Sequence, residues 1–161
     1  MIAPDANEKP SVDIYTDGGC RPNPGAGGWA AVLLSAGRVK ELSGGEPDTT
    51  NNRMELMAAI ESLRALKKPC RVRLHTDSQY VKNGITSWMA KWRKNGWKAA
   101  GGGAVKNQDL WQELDRMTAR HDIHWSWVRG HAGNHYNERC DALASEAIER
   151  VEASSAGHTR K

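Results

Sequence analysis

The sequence predicts one α/β domain built on a five-stranded mixed sheet flanked by helices. Short segments alternate apolar and polar residues, as strands do, and longer segments carry apolar residues at helical spacing. Their order is a third indication, because a strand, helix, strand succession implies a parallel, right-handed crossover beside an antiparallel meander. The 161 residues fit one domain of ordinary size.

The first three strands are expected to form the antiparallel meander. Residues 12–17 alternate apolar and polar side chains and are followed by the glycines at 18–19. The mostly apolar segment 29–35 and the segment 38–45 are separated by Ala36-Gly37, which is typical of a hairpin.

The clearest helix spans residues 53–68, with capping residues at 50–52 and Pro69 as its stop signal. Its apolar stripe is formed by Leu56, Ala59, Ile60 and Leu63. Residues 71–77 alternate again and predict the strand that lies parallel to the first.

The second half of the chain predicts two more helices and one more strand. Asn107 should cap a helix, residues 122–127 read as a strand, and a final helix begins at about Asn137. The apolar residues of the first of these helices are Leu110, Trp111, Leu114 and Met117, and those of the last are Leu143, Ala144, Ala147, Ile148 and Val151.

We expect residues 11–151 to form the domain, with a flexible segment at 1–10 and a disordered tail at 152–161. No stretch approaches the ~20 apolar residues that span a bilayer, so a membrane protein is excluded. The N-terminus lacks the pattern of a secretory signal, which favours a cytoplasmic location. Three cysteines without CxxC spacing favour reduced thiols over disulfides or zinc.

Two aspartates end the strands that we expect to be parallel, in the matching patterns IYTD and LHTD. Sites in open α/β sheets lie beyond the carboxyl ends of strands, so Asp17 and Asp77 should be neighbours. Glu55, in the first turn of its helix, should point toward the sheet. Asp141 occupies a similar position in the first turns of the last helix.

Carboxylates this close repel one another, and a cleft of low dielectric raises their pKa values unless a cation binds among them. Mg²⁺ suits such a site because it prefers oxygen ligands and also takes substrate phosphate oxygens. The alternative for any single acid is an ordinary solvated charge.

The segment between Ser87 and Asn107 is basic and aromatic and contains no acid. Its cations are Lys91, Arg93, Lys94, Lys98 and Lys106, and its aromatic residues are Trp88, Trp92 and Trp97. Such a segment neutralises phosphates and offers stacking surfaces, as a nucleic-acid groove does. The alternative is a solvated amphipathic helix whose tryptophans, Trp88 above all, belong to the core. The formal net charge of +4 is by itself a weak indication.

Four separated motifs occur in one order: TDGGCRPNPGAGGWA at 16–30, TTNNRMEL at 49–56, HTDSQYV at 75–81 and VRGHAGNHYNERCDALA at 128–144. Over residues 12–150 the chain resembles the bacterial type 1 ribonuclease H family. The resemblance implies a ribonuclease H-like fold with a basic handle helix. It also implies an endonuclease that hydrolyses the RNA strand of RNA/DNA hybrids.

The family pattern implies that Asp17, Glu55, Asp77 and Asp141 bind metal. In the family these acids hold two Mg²⁺ ions about the scissile phosphate, ~3.5–4 Å apart. One ion activates the attacking water and the other stabilises the leaving 3′ oxygen, which leaves 5′-phosphate and 3′-hydroxyl ends. Mn²⁺ is expected to substitute for Mg²⁺.

His131 matches the family histidine that shuttles protons or helps product leave, a task that a pKa near ~6.5 suits. Without the resemblance, a loop histidine between glycines is merely exposed. The family handle grips the DNA strand, here through Trp88, Lys91, Trp92 and Lys94. The glycines at 101–103 depart from the family pattern where the handle ends.

Short polar residues in the motifs are implied to contact RNA 2′-hydroxyls and a DNA phosphate. They are Asn23, Thr50, Asn51, Asn52, Gln79 and Asn137. A 2′-hydroxyl both donates and accepts hydrogen bonds and distinguishes RNA from DNA. Thr50 or Asn51 could instead serve only as a helix cap.

Three functions remain open at this point: hydrolysis of RNA in hybrids, hybrid binding without catalysis, and DNA strand transfer or junction cutting on the related fold. A silent binding module would not need four intact acids. Strand-transfer enzymes usually carry additional domains, for which this chain has no room. We expect an RNA/DNA hybrid as partner, no obligatory protein partner, and a monomer.

Overall fold

The computed structural model describes residues 9–128 and 134–158, the side chains of 155–158 excepted. Its five strands are β1 (Ser11–Arg21), β2 (Gly25–Ser35), β3 (Arg38–Thr49), β4 (Arg71–Thr76) and β5 (Asp122–Trp127). They form one sheet in the order β3-β2-β1-β4-β5. The pairs β3-β2 and β2-β1 are antiparallel, whereas β1-β4 and β4-β5 are parallel. The predicted five-stranded mixed sheet is confirmed.

The helices are α1 (Asn51–Arg64), α2 (Gln79–Asn83), α3 (Met89–Asn95), α4 (Gln108–Arg120) and α5 (His135–His158). A π-helical turn, Gly84–Trp88, joins α2 to α3 without a break. Gly96 ends α3 in the left-handed conformation, with φ 74°. Among the helices described, none has the length and apolar character to cross a membrane.

The sheet separates two apolar layers. The layer on the side of α1 and α4 includes Ile14, Leu56, Leu74, Trp111 and Leu114. The layer under α5 is smaller and includes Ala30, Val32, Cys140, Leu143 and Ala144. Burying one large apolar side chain contributes ~1.5–3 kcal/mol, so both layers hold the helices firmly against the strands.

Gly18 and Gly28 allow the two helical layers to approach the sheet closely. A Cβ atom on Gly18 would lie 2.5 Å from the carbonyl carbon of Met54 and 2.7 Å from the backbone nitrogen of Glu55. A Cβ atom on Gly28 would lie 2.5 Å from the carbonyl oxygen of Ala144. At these two points the helix backbones rest directly on the strands.

Two element ends differ from the prediction in the first half of the chain. β1 continues to Arg21, because its glycines pair with β2 instead of ending the strand. α1 ends at Arg64, ahead of the predicted residue 68. Pro69 disfavours the helical conformation at Lys68 alone, and residues 65–68 form a turn and bends instead.

The predicted disordered tail begins at residue 152, whereas α5 continues to His158. The apolar stripe does end at Val151, and the prediction ended the helix there. A helix that has formed extends through residues of good propensity without an apolar stripe, and Glu152 and Ala153 are such residues.

Candidate active site

Three carboxylates meet at the edge of the sheet where β1 and β4 end. Tyr15 lies opposite His75 in the parallel ladder, so Asp17 in β1 is level with Asp77, which directly follows β4. Glu55 reaches the same place from the first turns of α1. One carboxylate oxygen from each of the three acids lies within 4.8 Å of the other two. The predicted neighbourhood of Asp17, Glu55 and Asp77 is confirmed.

This acid cluster, Asp17, Glu55 and Asp77, combines one buried and two half-buried residues. Asp17 is 7% exposed, and its Oδ1 accepts a hydrogen bond of 2.9 Å from the Gly18 N–H. Oε2 of Glu55 is buried and has no hydrogen-bond partner among the residues that the structure describes. Burial and the charges of Asp17 and Asp77 raise the pKa of Glu55 well above its ordinary value, against the opposing effect of the Gly18 N–H.

The acid cluster fits a hard divalent cation. A buried carboxylate oxygen without a partner is costly, and a cation would both satisfy it and cancel the mutual repulsion. All three ligand atoms are carboxylate oxygens, the donor type that such cations prefer. The nearby Cys20 thiol donates instead to the carbonyl oxygens of Gly25 and Thr49, both at 3.2 Å.

A cleft of roughly 370 Å³ opens beside the acid cluster. Asp141 of α5 lines it but is exposed and does not belong to the compact group. Asn51 lies on the lining too, at the start of α1. The cleft is therefore walled by two helices, α1 and α5, and floored by the ends of two strands, β1 and β4.

Arg21 also lines the cleft, and the sequence prediction missed it. One of its guanidinium nitrogens donates to the carbonyl oxygen of Ser145 in α5, at 3.2 Å. The missed signal was strand periodicity: residues 17, 19 and 21 lie on one face of β1 once the strand is continued to its observed end.

Two other predicted contact residues, Thr50 and Asn23, make hydrogen bonds at the start of α1. The Thr50 side chain caps α1 by accepting from the Arg53 N–H at 3.2 Å, as the capping alternative expected. The Asn23 side chain accepts from the Asn51 N–H, also at 3.2 Å. The remaining predicted contact residues are Asn52, half-buried in α1, Gln79, exposed at the start of α2, and Asn137, buried in α5.

The handle, residues 79–107, is anchored by aromatic rings. The ring of Trp88 lies 5.5 Å from that of Tyr80, and the ring of Trp92 lies 5.5 Å from that of the buried Trp111. Trp88 and Trp92 therefore belong to the packing of the handle, as the core alternative predicted for Trp88. The predicted phosphate-binding side chains Lys91 and Lys94 are exposed.

Polar side chains fix the root of the handle to α1. Arg53 donates to Oδ1 of Asn107 at 3.2 Å and forms an ion pair of 2.9 Å with Asp109, which lowers the pKa of Asp109. Asn107 and Trp111 both donate to the Tyr80 hydroxyl, each at 3.0 Å. Asn107 stands at the N-cap position of α4, but its side chain makes no capping bond. The prediction that it caps this helix is wrong, since its side chain joins distant segments instead.

The predicted His131 lies outside the described residues, in the gap between 128 and 134.

The chain is similar to known proteins over most of its length. A family model described as RNase H matches residues 9–149. Ribonuclease H of Hydrogenovibrio crunogenus is 61% identical over 140 residues, covering 87% of this chain and 97% of that protein. Ribonuclease HI of Caulobacter vibrioides is 58% identical over 142 residues, covering 88% of this chain and 95% of that protein.

Solved structures agree with the fold. The crystal structure of LC9-RNase H1, a type 1 RNase H with the type 2 active-site motif, matches with a TM-score of 0.79 at 34% identity, covering 90% of this chain and 75% of that one. LC11-RNase H1, solved in complex with RNA/DNA hybrid, shares the fold with a TM-score of 0.66 at 23% identity, covering 86% of this chain and 97% of that one. With a family model spanning residues 9–149 and relatives near 60% identity, the chain belongs to the RNase H family.

Proposed function

We propose that this chain is an Mg²⁺-dependent endonuclease that hydrolyses the RNA strand of RNA/DNA hybrids and acts as a cytoplasmic monomer. The observation that carries the proposal is the acid cluster, whose three carboxylates offer oxygens within 4.8 Å of one another in a member of the RNase H family. A hybrid-binding module without catalysis would not need these mutually repelling acids, which raise the free energy of the folded state.

In this proposal Asp17, Glu55 and Asp77 hold two Mg²⁺ ions, with Asp141 contributing from the opposite wall of the cleft. When bound, the ions lower the pKa of the attacking water and stabilise the charge on the leaving 3′ oxygen. The carboxylates would hold the ions that take the oxygens of the scissile phosphate at the acid cluster, and hydrolysis there would leave 5′-phosphate and 3′-hydroxyl ends. Mn²⁺ is proposed as a substitute. His131 is proposed to carry protons or to help product leave.

The strands are distinguished by polar side chains around the cleft. Asn23, Asn51 and Gln79 offer amide groups that both donate and accept, which matches a 2′-hydroxyl. Asn52 and Asn137 are proposed to assist them. Thr50 accepts a bond in its capping role, and its hydroxyl proton stays free to donate to a DNA phosphate oxygen.

The DNA strand is proposed to lie on the handle. Lys91 and Lys94 are exposed there and would neutralise its phosphates. Trp88 and Trp92 are proposed to support DNA binding indirectly, because their packing against the core positions α3. Both rings also keep a partly exposed surface. Recognition of backbone shape rather than of base edges makes cleavage largely independent of sequence.

The test uses end-labelled RNA/DNA hybrid, RNA/RNA and DNA/DNA duplexes, each with Mg²⁺ or EDTA. We expect cleavage of hybrid RNA only, abolished by EDTA and by Asp17→Asn. Asp122→Asn, which changes an exposed acid on β5, is the matched control and should cut at the parent rate. Binding of the hybrid without cleavage would indicate a silent module, and cleavage of DNA would indicate a strand-transfer relative.

A further inference from the structure

The lining of the cleft contains one cation amid four acids. Arg21 is the single Lys or Arg among its described lining residues, which include Asp17, Glu55, Asp77 and Asp141. Arg21 is the last residue of β1 and is exposed. Because side chains alternate along a strand, it lies on the same face of β1 as Asp17, four residues and about 13 Å further along.

The Arg21 side chain is held in place. One guanidinium nitrogen donates to the carbonyl oxygen of Ser145, one turn beyond Asp141 in α5. A guanidinium has five N–H donors, and this bond uses one of them. This bond places the planar group at the rim of the cleft with donors left for a second acceptor.

Apart from the ions proposed at the acid cluster, Arg21 offers a polyanion the one positive side chain among the described lining residues of this cleft. The scissile phosphate lies at the acid cluster, and its neighbours on the same strand must run along the cleft. Planar N–H donors suit phosphate oxygens well, and arginine is the side chain that recognises them in a fixed geometry. The exposed handle lysines Lys91 and Lys94, where the DNA strand is proposed to lie, are not among the residues that line the cleft.

We propose that Arg21 binds a backbone phosphate of the RNA strand, a short distance along the strand from the scissile phosphate. This inference rests on the proposed function, since it needs RNA at the acid cluster. Arg21 then fixes the register of the RNA strand at the cleft rim. A purely structural role, tying β1 to α5 through Ser145, is the competing explanation.

The first test measures hybrid binding in EDTA, where no cleavage occurs, at several salt concentrations. Arg21→Gln should weaken binding roughly 3- to 10-fold and reduce the slope of log K against log salt by about 0.7–0.9, the value for one lost phosphate contact. Arg21→Lys should keep the slope. Arg38→Gln, an exposed arginine at the far end of the sheet, should behave like the parent chain.

A changed melting temperature with an unchanged salt slope would leave only the structural role and overturn the proposal. If Arg21→Gln fails to fold, Arg21→Met repeats the measurement with most of the apolar stem retained. A parent chain that neither binds nor cuts hybrids would refute the proposed function itself. If the parent chain binds and cuts hybrids but the Arg21→Gln variant shows the same slope of log K against log salt, only the inference about Arg21 is refuted.

The second test assigns the strand with hybrids in which one phosphate at a time is a neutral methylphosphonate. For the parent chain, one RNA position near the cleavage site should weaken binding. Binding by the Arg21→Gln variant should not weaken when the phosphate at that position is neutral, because the contact is already absent. Loss of sensitivity at a DNA position instead would overturn the assignment to the RNA strand.

Discussion

The acid cluster and the handle are built in different ways. Asp17, Glu55 and Asp77 are carried by a strand, a helix and a strand end whose relative positions follow from backbone pairing and from the close contact at Gly18. The handle is attached through side chains, chiefly rings around Trp111 and the hydrogen bonds that meet at Tyr80. The three carboxylates thus have little freedom, whereas the surface proposed for recognition depends on a few contacts.

The acid cluster and the handle also differ in how they affect the stability of the fold. The acid cluster is a source of repulsion in the folded chain, seen in the raised pKa of Glu55. The handle gains stability from its contacts, since an aromatic pair contributes ~0.5–1.5 kcal/mol beyond its buried area. Substitutions in the acid cluster should therefore lower activity while raising the stability of the fold. Substitutions in the handle should instead remove stabilising contacts.

The largest effect is expected for Asp77→Asn. Cleavage of hybrid RNA should fall by at least about 10³-fold, because cation stabilisation of the transition state supplies several kcal/mol. The melting temperature in EDTA should rise at the same time, since one charge that repels Glu55 is gone. Gel assays and thermal unfolding measure the two changes. A variant that melts lower in EDTA would show that repulsion does not dominate the acid cluster.

Gly18→Ala should be the next most damaging change. Its Cβ would collide with the backbone of α1 beside Glu55, which costs ~1–3 kcal/mol of unfolding free energy and displaces the helix. Urea unfolding measures the loss. Gly19→Ala is the matched control, because nothing lies within 4 Å of its added Cβ, and its stability should stay within ~1 kcal/mol of the parent. Equal losses for both variants would contradict the close contact at Gly18.

Tyr80→Phe tests the anchoring of the handle. It removes the hydroxyl that accepts from Asn107 and Trp111, and leaving such donors unpaired costs ~1–3 kcal/mol. With the handle loosened, we expect KM for hybrid to rise several-fold while kcat changes little. Tyr15→Phe, which keeps the ring stacked on His75 at 4.2 Å, should leave KM unchanged. A fall in kcat at constant KM would instead indicate that Tyr80 affects the chemical step and not hybrid binding.

The smallest effect is a pH dependence of stability in EDTA. The pKa of Glu55 is raised on folding above its ordinary value of 4.5, so its contribution is fully present below that pH and is lost as pH rises through the folded pKa. The free energy of unfolding of the parent chain, relative to Glu55→Gln, should therefore fall as pH rises. Chemical denaturation at several pH values measures it, and a flat difference would contradict the burial of a charged Glu55.

The sequence predicts those parts of the molecule that follow from local pattern. Asp17 and Asp77 could be paired because strand periodicity and the crossover rule bring matching strand ends together. Arg21 was missed because two glycines resembled a strand end, yet they continue β1 by pairing with β2. The Arg53, Asn107 and Tyr80 contacts could not be predicted, since they join segments far apart in sequence through side-chain reach that no local period encodes.

β3 forms one border of the sheet and carries a long row of backbone groups on its outer side. Such a border invites pairing with a second sheet and thus aggregation. Here Lys40, Glu41 and Pro47 interrupt it, with charge or with a missing N–H, although Val39 is 57% exposed. This border therefore disfavours edge-to-edge pairing between copies of the chain, independent of anything the acid cluster does.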